Sequence, residues 1–176
     1  VYGDTLSFTS TVITGSNITS ATSTNAPWTK RAYLAGCVYN GRVYITGGVS
    51  LTNQTGDIWS TADIANGGHW RCDASAAPWG RRHGGQMVVH NNAMFFVGGA
   101  RQDTGAYCND VWRSVDGVEW KQVTPNAAFL PRAFFGLVSF GGNLVLTNGF
   151  ATDSSGTFFF DDVWASADGE TWQRVA

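Results

Sequence analysis

Three arginines recur at nearly equal intervals: Arg31, Arg82 and Arg132, 51 and 50 residues apart. Placed near the mouth of a channel, a set of guanidinium groups could capture an acidic ligand. The alternative is that each Arg bonds carbonyls and an acidic residue of the scaffold, a role that regular repetition favours. Asp57, Asp110 and Asp162 recur too, and read as strand caps or Arg partners rather than acids or bases. The three histidines, His69, His83 and His90, match no metal-ligand spacing and read as surface or turn residues. No Ser-His-Asp set is recognisable from spacing. No Gly-rich phosphate loop precedes a helix, because no helical pattern of useful length exists. The reading therefore assigns no catalytic residue, no metal and no cofactor.

The elements that carry these residues repeat with them. Three residues before each Arg stands an aromatic: Trp28, Trp79, Phe129. Nine and ten residues after it comes a turn pair: Asn40-Gly41, Asn91-Asn92, Gly141-Gly142. A glycine pair follows: Gly47-Gly48, Gly98-Gly99, and the variant Asn148-Gly149. Then come the triplets Asp57-Ile58-Trp59, Asp110-Val111-Trp112 and Asp162-Val163-Trp164, and a closing Trp at 70, 120 and 172.

Each unit reads as four strands. Strand A covers 35–39, 86–90 and 136–140; strand B covers 43–46, 94–97 and 144–147. Both are short apolar runs of the kind buried on two faces. The turn pairs between them suit a tight hairpin, which needs φ > 0. Strand C carries the first Trp and strand D the second. The expected fold is all-β: three four-stranded antiparallel β-propeller blades at 25–75, 76–125 and 126–176. A Ser/Thr-rich segment at 1–24 precedes them, read as a linker, a diverged strand or a strand that pairs with a neighbour.

The Arg, double-glycine and spaced aromatic pattern resembles the kelch-repeat family. That resemblance implies a β-propeller with strand A lining the central channel. Ser114-Val115-Asp116-Gly117 and Ser166-Ala167-Asp168-Gly169 are also similar to a shortened Asp-box of sialidase-type propellers, but the Arg and Gly-Gly offsets fit only the kelch pattern. Copper-radical oxidases use kelch-like propellers as well. Tyr107-Cys108 is the one pair that suggests them, and neighbours in a strand point to opposite faces.

Cys37 aligns with Val88 and Val138 and reads as a buried apolar residue. Cys72 and Cys108 fall on one expected rim of adjacent blades, where a disulfide could join them; free thiols are the other reading. Asn17-Ile18-Thr19 and Asn53-Gln54-Thr55 are glycosylation sequons. Together these point to an extracellular or cell-surface location, with the cytoplasm as alternative.

The chain's 14% charged residues and net charge of −2 leave no basic footprint for nucleic acid. No apolar run approaches the length that spans a bilayer. Closed propellers have about four to eight blades, so three imply further blades or a second copy to complete a ring. The B–C segments at 49–56, 100–109 and 150–161 vary while the frame repeats, and loops on a rigid scaffold carry recognition. The expected function is a non-enzymatic module for protein or glycan interaction, or for assembly of a surface structure. A carbohydrate oxidase or glycosidase completed by absent blades, and an intracellular kelch adaptor, are the alternatives.

Overall fold

The computed structural model describes residues 26–50, 55–63, 69–101 and 103–176, and among them every regular element is a strand. Strands β1 (Ala35–Tyr39), β2 (Arg42–Thr46), β3 (Ile58–Thr61) and β4 (Arg71–Ala74) form one antiparallel sheet in chain order. The second sheet contains β5 (Arg82–His83), β6 (Gln86–His90), β7 (Ala93–Arg101), β8 (Tyr107–Ser114) and β9 (Lys121–Thr124); β5 and β6 both pair with β7. The third contains β10 (Gly136–Phe140), β11 (Asn143–Thr147), β14 (Val163–Ser166) and β15 (Gln173–Arg174). A separate hairpin, β12 (Phe150–Asp153) and β13 (Gly156–Phe159), is inserted between β11 and β14. The expected all-β architecture of antiparallel blades is what the structure shows: the first and third sheets have four strands, and the two-residue β5 adds a fifth to the second.

Each innermost strand begins at the fourth residue after its Arg and pairs in the same register: Ala35 with Thr46, Gln86 with Val97, Gly136 with Thr147. The turn pairs enforce that register. Both residues of Asn40-Gly41, Asn91-Asn92 and Gly141-Gly142 have positive φ, the geometry whose twist matches a two-residue hairpin. Asn148 keeps the conformation of the glycines it replaces, at φ 63° against 69° and 56°, because Asn tolerates the left-handed region.

Two cores lie between the three blades. Tyr39, Tyr44 and Ile58 of the first sheet meet Trp79, Met87, Met94 and Phe96 of the second. Phe95, Val97 and Val111 of the second meet Phe129, Leu137, Leu144 and Leu146 of the third. The middle blade is apolar on both faces, as its continuous runs imply. Each blade carries one aromatic trio. Trp79 stacks on Phe96 at 4.2 Å and meets Trp120 edge-on at 4.8 Å. Phe129 meets Trp172 at 5.1 Å, and Trp28 meets Trp70 at 4.6 Å. Such pairs add about 0.5–1.5 kcal/mol each beyond burial.

The second Trp of each unit sits just before strand D, not within it. Its indole is needed elsewhere: Trp120 and Trp172 donate Nε1–H to the carbonyls of Gly117 and Gly169, closing the C–D turn. Inside these turns, the Asp116 and Asp168 carboxylates accept two backbone N–H bonds each. The turn tips reach the preceding blade. A Cβ on Gly117 would stand 2.3 Å from the Tyr44 ring, and one on Gly169 2.6 Å from Phe95.

Hydrogen bonds stitch the same seams. Tyr39 donates its hydroxyl to Asn92 and Val115 carbonyls. His90, at the equivalent position, bonds Ser139 Oγ through Nδ1 and Ala167 O through Nε2. Phe140 stands at that position in the third blade and is 77% exposed. On the outer side of the first blade Val38 is 65% exposed. On the faces turned away from the second blade, Val38 of the first blade and Val138 and Phe140 of the third are thus open apolar side chains.

Candidate functional site

Every Arg of the repeat builds the same clamp. Arg31 grips Asp57 with two bonds (2.5 and 2.9 Å), Arg82 grips Asp110 (2.5 and 2.8 Å) and Arg132 grips Asp162 (2.5 and 2.9 Å). Each Nη1 also donates to the carbonyl of the first residue of the glycine pair, Gly47, Gly98 or Asn148. Each carboxylate accepts the indole N–H two residues on, from Trp59, Trp112 or Trp164. The Asp partner comes from the same blade as its Arg. Side chains of Arg31, Arg82 and Arg132 are only 2%, 2% and 0% exposed. They hold strand C against the entry to strand A. A channel-mouth ligand would find none of these guanidinium groups open, so the clamp is scaffold. Burial pushes the Asp57 carboxyl up, but bonds from Arg31 and Trp59 outweigh it and hold it below the usual range. The Arg132 bonds hold Asp162 down to about 2.

Two residues after each Arg, the backbone turns into the left-handed region: Tyr33 at φ 60°, Gly84 at 66°, Phe134 at 58°. The turn serves a belt of bonds from blade to blade. Gly84 N–H donates to Tyr33 C=O at 3.0 Å, and Phe134 N–H to Gly84 C=O at 2.8 Å. A non-glycine residue there costs roughly 1–2 kcal/mol. Yet two of the three positions carry large aromatics, and their rings meet edge-on at 5.1 Å. Gly84 lies beneath: a Cβ there would stand 2.9 Å from the Phe134 ring. From this pair an aromatic file runs outward. Phe134 stacks on Phe150 at 5.2 Å and 4°, and Phe150 contacts Tyr107 and Phe159 at 6.2 and 5.9 Å. His83 contacts Phe134 at 5.7 Å, and burial draws its pKa below the usual imidazole value.

Beside the file lies a cleft of about 620 Å³. Residues 104–107 line it from the second blade, Leu130 and Pro131 from the entry to the third, and Ala151, Phe158 and Phe160 from the hairpin. The volume is that of a small-ligand site. Phe160 is fixed by the Arg132 guanidinium, 3.9 Å from its ring centroid, so the scaffold clamp also positions a cleft wall. Thr152, Asp153 and Tyr107 supply polar groups.

Sequence reasoning foresaw loops at 100–109 and 150–161. The structure instead extends β7 to Arg101, starts β8 at Tyr107 and folds 150–159 into a hairpin. The Asp153-Ser154-Ser155-Gly156 turn supplies the reason: Asp153 accepts the Ser155 N–H, and Gly156 adopts φ 133°. The continuous run Phe158-Phe159-Phe160 shows no apolar–polar alternation and so carries no sequence signal for a two-faced strand.

The expected Cys72–Cys108 disulfide is not formed; Cys37, Cys72 and Cys108 are all free thiols. Cys72 is exposed on the outermost strand of the first blade, opposite Trp59. Cys108 is opposite Gly99 in the second, and its carbonyl takes the Arg132 N–H from the third. Its thiol lies beside Arg82 and Arg101 of its own blade. Burial pushes the Cys37 thiol up to about 12. Tyr107 and Cys108 pair with successive residues, Ala100 and Gly99. Among the described residues no three of His, Cys, Asp or Glu come together as metal ligands. Asn17 and Asn53 lie outside the described residues. No described helix is long and apolar enough to cross a membrane.

No family model and no curated protein matches the chain. Solved structures do. The structure of YjhT superposes on 88% of this chain with a TM-score of 0.68, at 16% identity. At that identity the likeness is one of fold alone. The chain spans about half, 53%, of the length of that structure.

Proposed function

We propose that this chain is a kelch-like propeller segment that works as a recognition module, binding a protein or glycan ligand at its B–C loop face. The cleft of about 620 Å³ beside the aromatic file carries the reading. Its walls come from segments that differ between blades, while the charged residues of the repeat are consumed by the clamp. Rings held at positive φ where glycine would be cheaper support a binding role for that face. The open faces of the first and third blades take further blades, from a longer chain or a second copy, which would complete a ring. An extracellular setting rests on the Asn17 and Asn53 sequons; peptide mapping of native material that recovers both unmodified would move the module to the cytoplasm.

The test fills the cleft. Ala106→Arg places a long side chain into it from an exposed position. Wild-type protein should bind members of a glycan microarray or a displayed peptide library, and the variant should lose those signals at least tenfold. Binding that is indifferent to Ala106→Arg, or no binding to either library, would remove the cleft as a recognition site.

A further inference from the structure

Among the described residues, hairpin β12–β13 leaves one edge of its ladder without a partner. Phe160 N–H donates to Gly149 C=O at 3.0 Å, which fixes the phase of the ladder. Antiparallel alternation then turns the backbone groups of Gly156 and Phe158 toward β12 and those of Thr157 and Phe159 outward. Across the other edge, Phe150 exchanges both backbone bonds with Ala133, which anchors the hairpin to the blade entry. Among the described residues strand β13 pairs only with β12, and all four of its residues are exposed.

Folded proteins usually guard a free edge with charge or proline. The outer strands of this chain follow that rule: β4 carries Arg71 and Asp73, β9 Lys121, β15 Arg174. Strand β13 reads Gly-Thr-Phe-Phe, without charge or proline. Phe158 and Phe159 are 47% and 80% exposed. They also point to opposite faces: Phe158 lines the cleft, while Phe159 meets Phe150 in the aromatic file.

We propose that β13 is a docking strand for an extended peptide segment of a partner protein, added to the hairpin as a third strand. The proposal rests on the recognition reading of the same cleft and names its ligand. Thr157 and Phe159 each present one outward N–H and one outward C=O, two residues or roughly 7 Å apart. Only an extended backbone repeats donors and acceptors at that spacing, whereas a sugar would leave the alternation unused. In such a complex main-chain bonds supply affinity and alternate side chains supply specificity. One apolar side chain of the partner enters the cleft beside Phe158 and Phe160, and the next packs on Phe159. Asp153, exposed at the hairpin end of the cleft, favours a Lys or Arg beside the apolar residue.

The test pans a phage-displayed library of linear dodecapeptides on the intact protein and measures synthetic copies of enriched members by calorimetry. Thr157→Pro removes an outward N–H without breaking the hairpin ladder. It should weaken binding at least tenfold, as should Phe158→Ala. Backbone N-methylation of the peptide checks this without altering the protein: methyl groups at alternate residues should abolish binding, and those between should be tolerated. Failure to enrich any peptide, or affinity indifferent to both Thr157→Pro and the methylation pattern, overturns the proposal. A glycan hit that Ala106→Arg abolishes, with no peptide enriched, would overturn it while leaving the recognition reading intact. Self-association in sedimentation that Thr157→Pro abolishes would also overturn it, giving the edge to a second copy.

Discussion

Asp110→Ala should be the most damaging single change among the three clamps. Its carboxylate accepts two bonds from Arg82 and one from the Trp112 indole. The Arg82 and Asp110 side chains are 2% and 9% exposed, the most enclosed pair of the three apart from the Arg132 guanidinium itself. Removing one partner of a buried pair costs about 3–5 kcal/mol. The orphaned indole N–H adds about 1–3 kcal/mol, partly shared with that loss. Arg82 has little to fall back on. Its Nε already lacks a partner, and only the Gly98 carbonyl at 3.2 Å remains. Arg31 and Arg132 each keep an Nε bond, to Thr29 and Leu130. The expected loss is therefore about 4–5 kcal/mol for Asp110→Ala, and about 1–2 kcal/mol less for Asp57→Ala or Asp162→Ala, with carboxylates 18% and 13% exposed. Urea unfolding followed by tryptophan fluorescence measures all three. Arg82→Met with Asp110→Leu should recover most of the loss, because the charge and its orphaned partner leave together. An Asp110→Ala loss within about 1 kcal/mol of zero, or a double variant as unstable as the sum of its singles, would refute this account of the clamp.

Gly117→Ala should cost about 2–4 kcal/mol in the same assay, combining φ of 80° with a Cβ 2.3 Å from the Tyr44 ring; a neutral effect would mean the C–D turn does not bear on the preceding blade. Thiol titration of unreduced, denatured protein should count three free cysteines, and in the native state Cys72 should react well before Cys37, whose thiol burial raises to about 12. A count of one would restore the Cys72–Cys108 bridge. On acidification, Asp57 and Asp162 lie below their unfolded value of about 3.9, so the unfolded chain binds more protons and stability falls with pH. For Asp162 that contribution is present above about pH 4 and lost through about pH 2. Urea midpoints between pH 5 and pH 2 should fall less steeply for Asp162→Asn than for wild type; parallel curves would deny the depressed carboxyl.

The frame was legible in the sequence because each of its parts is local or repeated. Turn pairs that need positive φ, apolar runs and fixed offsets from Arg31, Arg82 and Arg132 specify strand A to the residue and the start of strand B to within one residue. The loop-face geometry was not legible, because it depends on which segments of different blades come together. Phe134 and Phe150 stack across 16 positions of sequence, and Tyr107 reaches Phe150 from another blade. Nothing in their spacing announces that. The disulfide expectation failed for a related reason. A shared rim puts Cys72 and Cys108 at similar heights, but Cys72 is exposed on the outermost strand of its blade while Cys108 is half-buried beside Arg82 and Arg101 of its own.

Departures from the repeat therefore carry more information about binding than its regularities. Where the three units agree, as in the Arg–Asp–Trp clamp, the side chains are buried and spoken for. Where they disagree, the difference has a surface consequence. At the position filled by Tyr33, Gly84 and Phe134, two aromatics accept backbone strain that the middle blade avoids, and the glycine makes room for a neighbour's ring. At the position filled by Tyr39, His90 and Phe140, the first two bond into the following blade and the third has nothing to bond. These disagreements differ in kind. Phe140 lies on the face turned away from the second blade, where a further blade of the same design would cover it. The aromatic file and the unguarded edge of β13 follow no repeated pattern, so a further blade of this design would not explain them. An external ligand would.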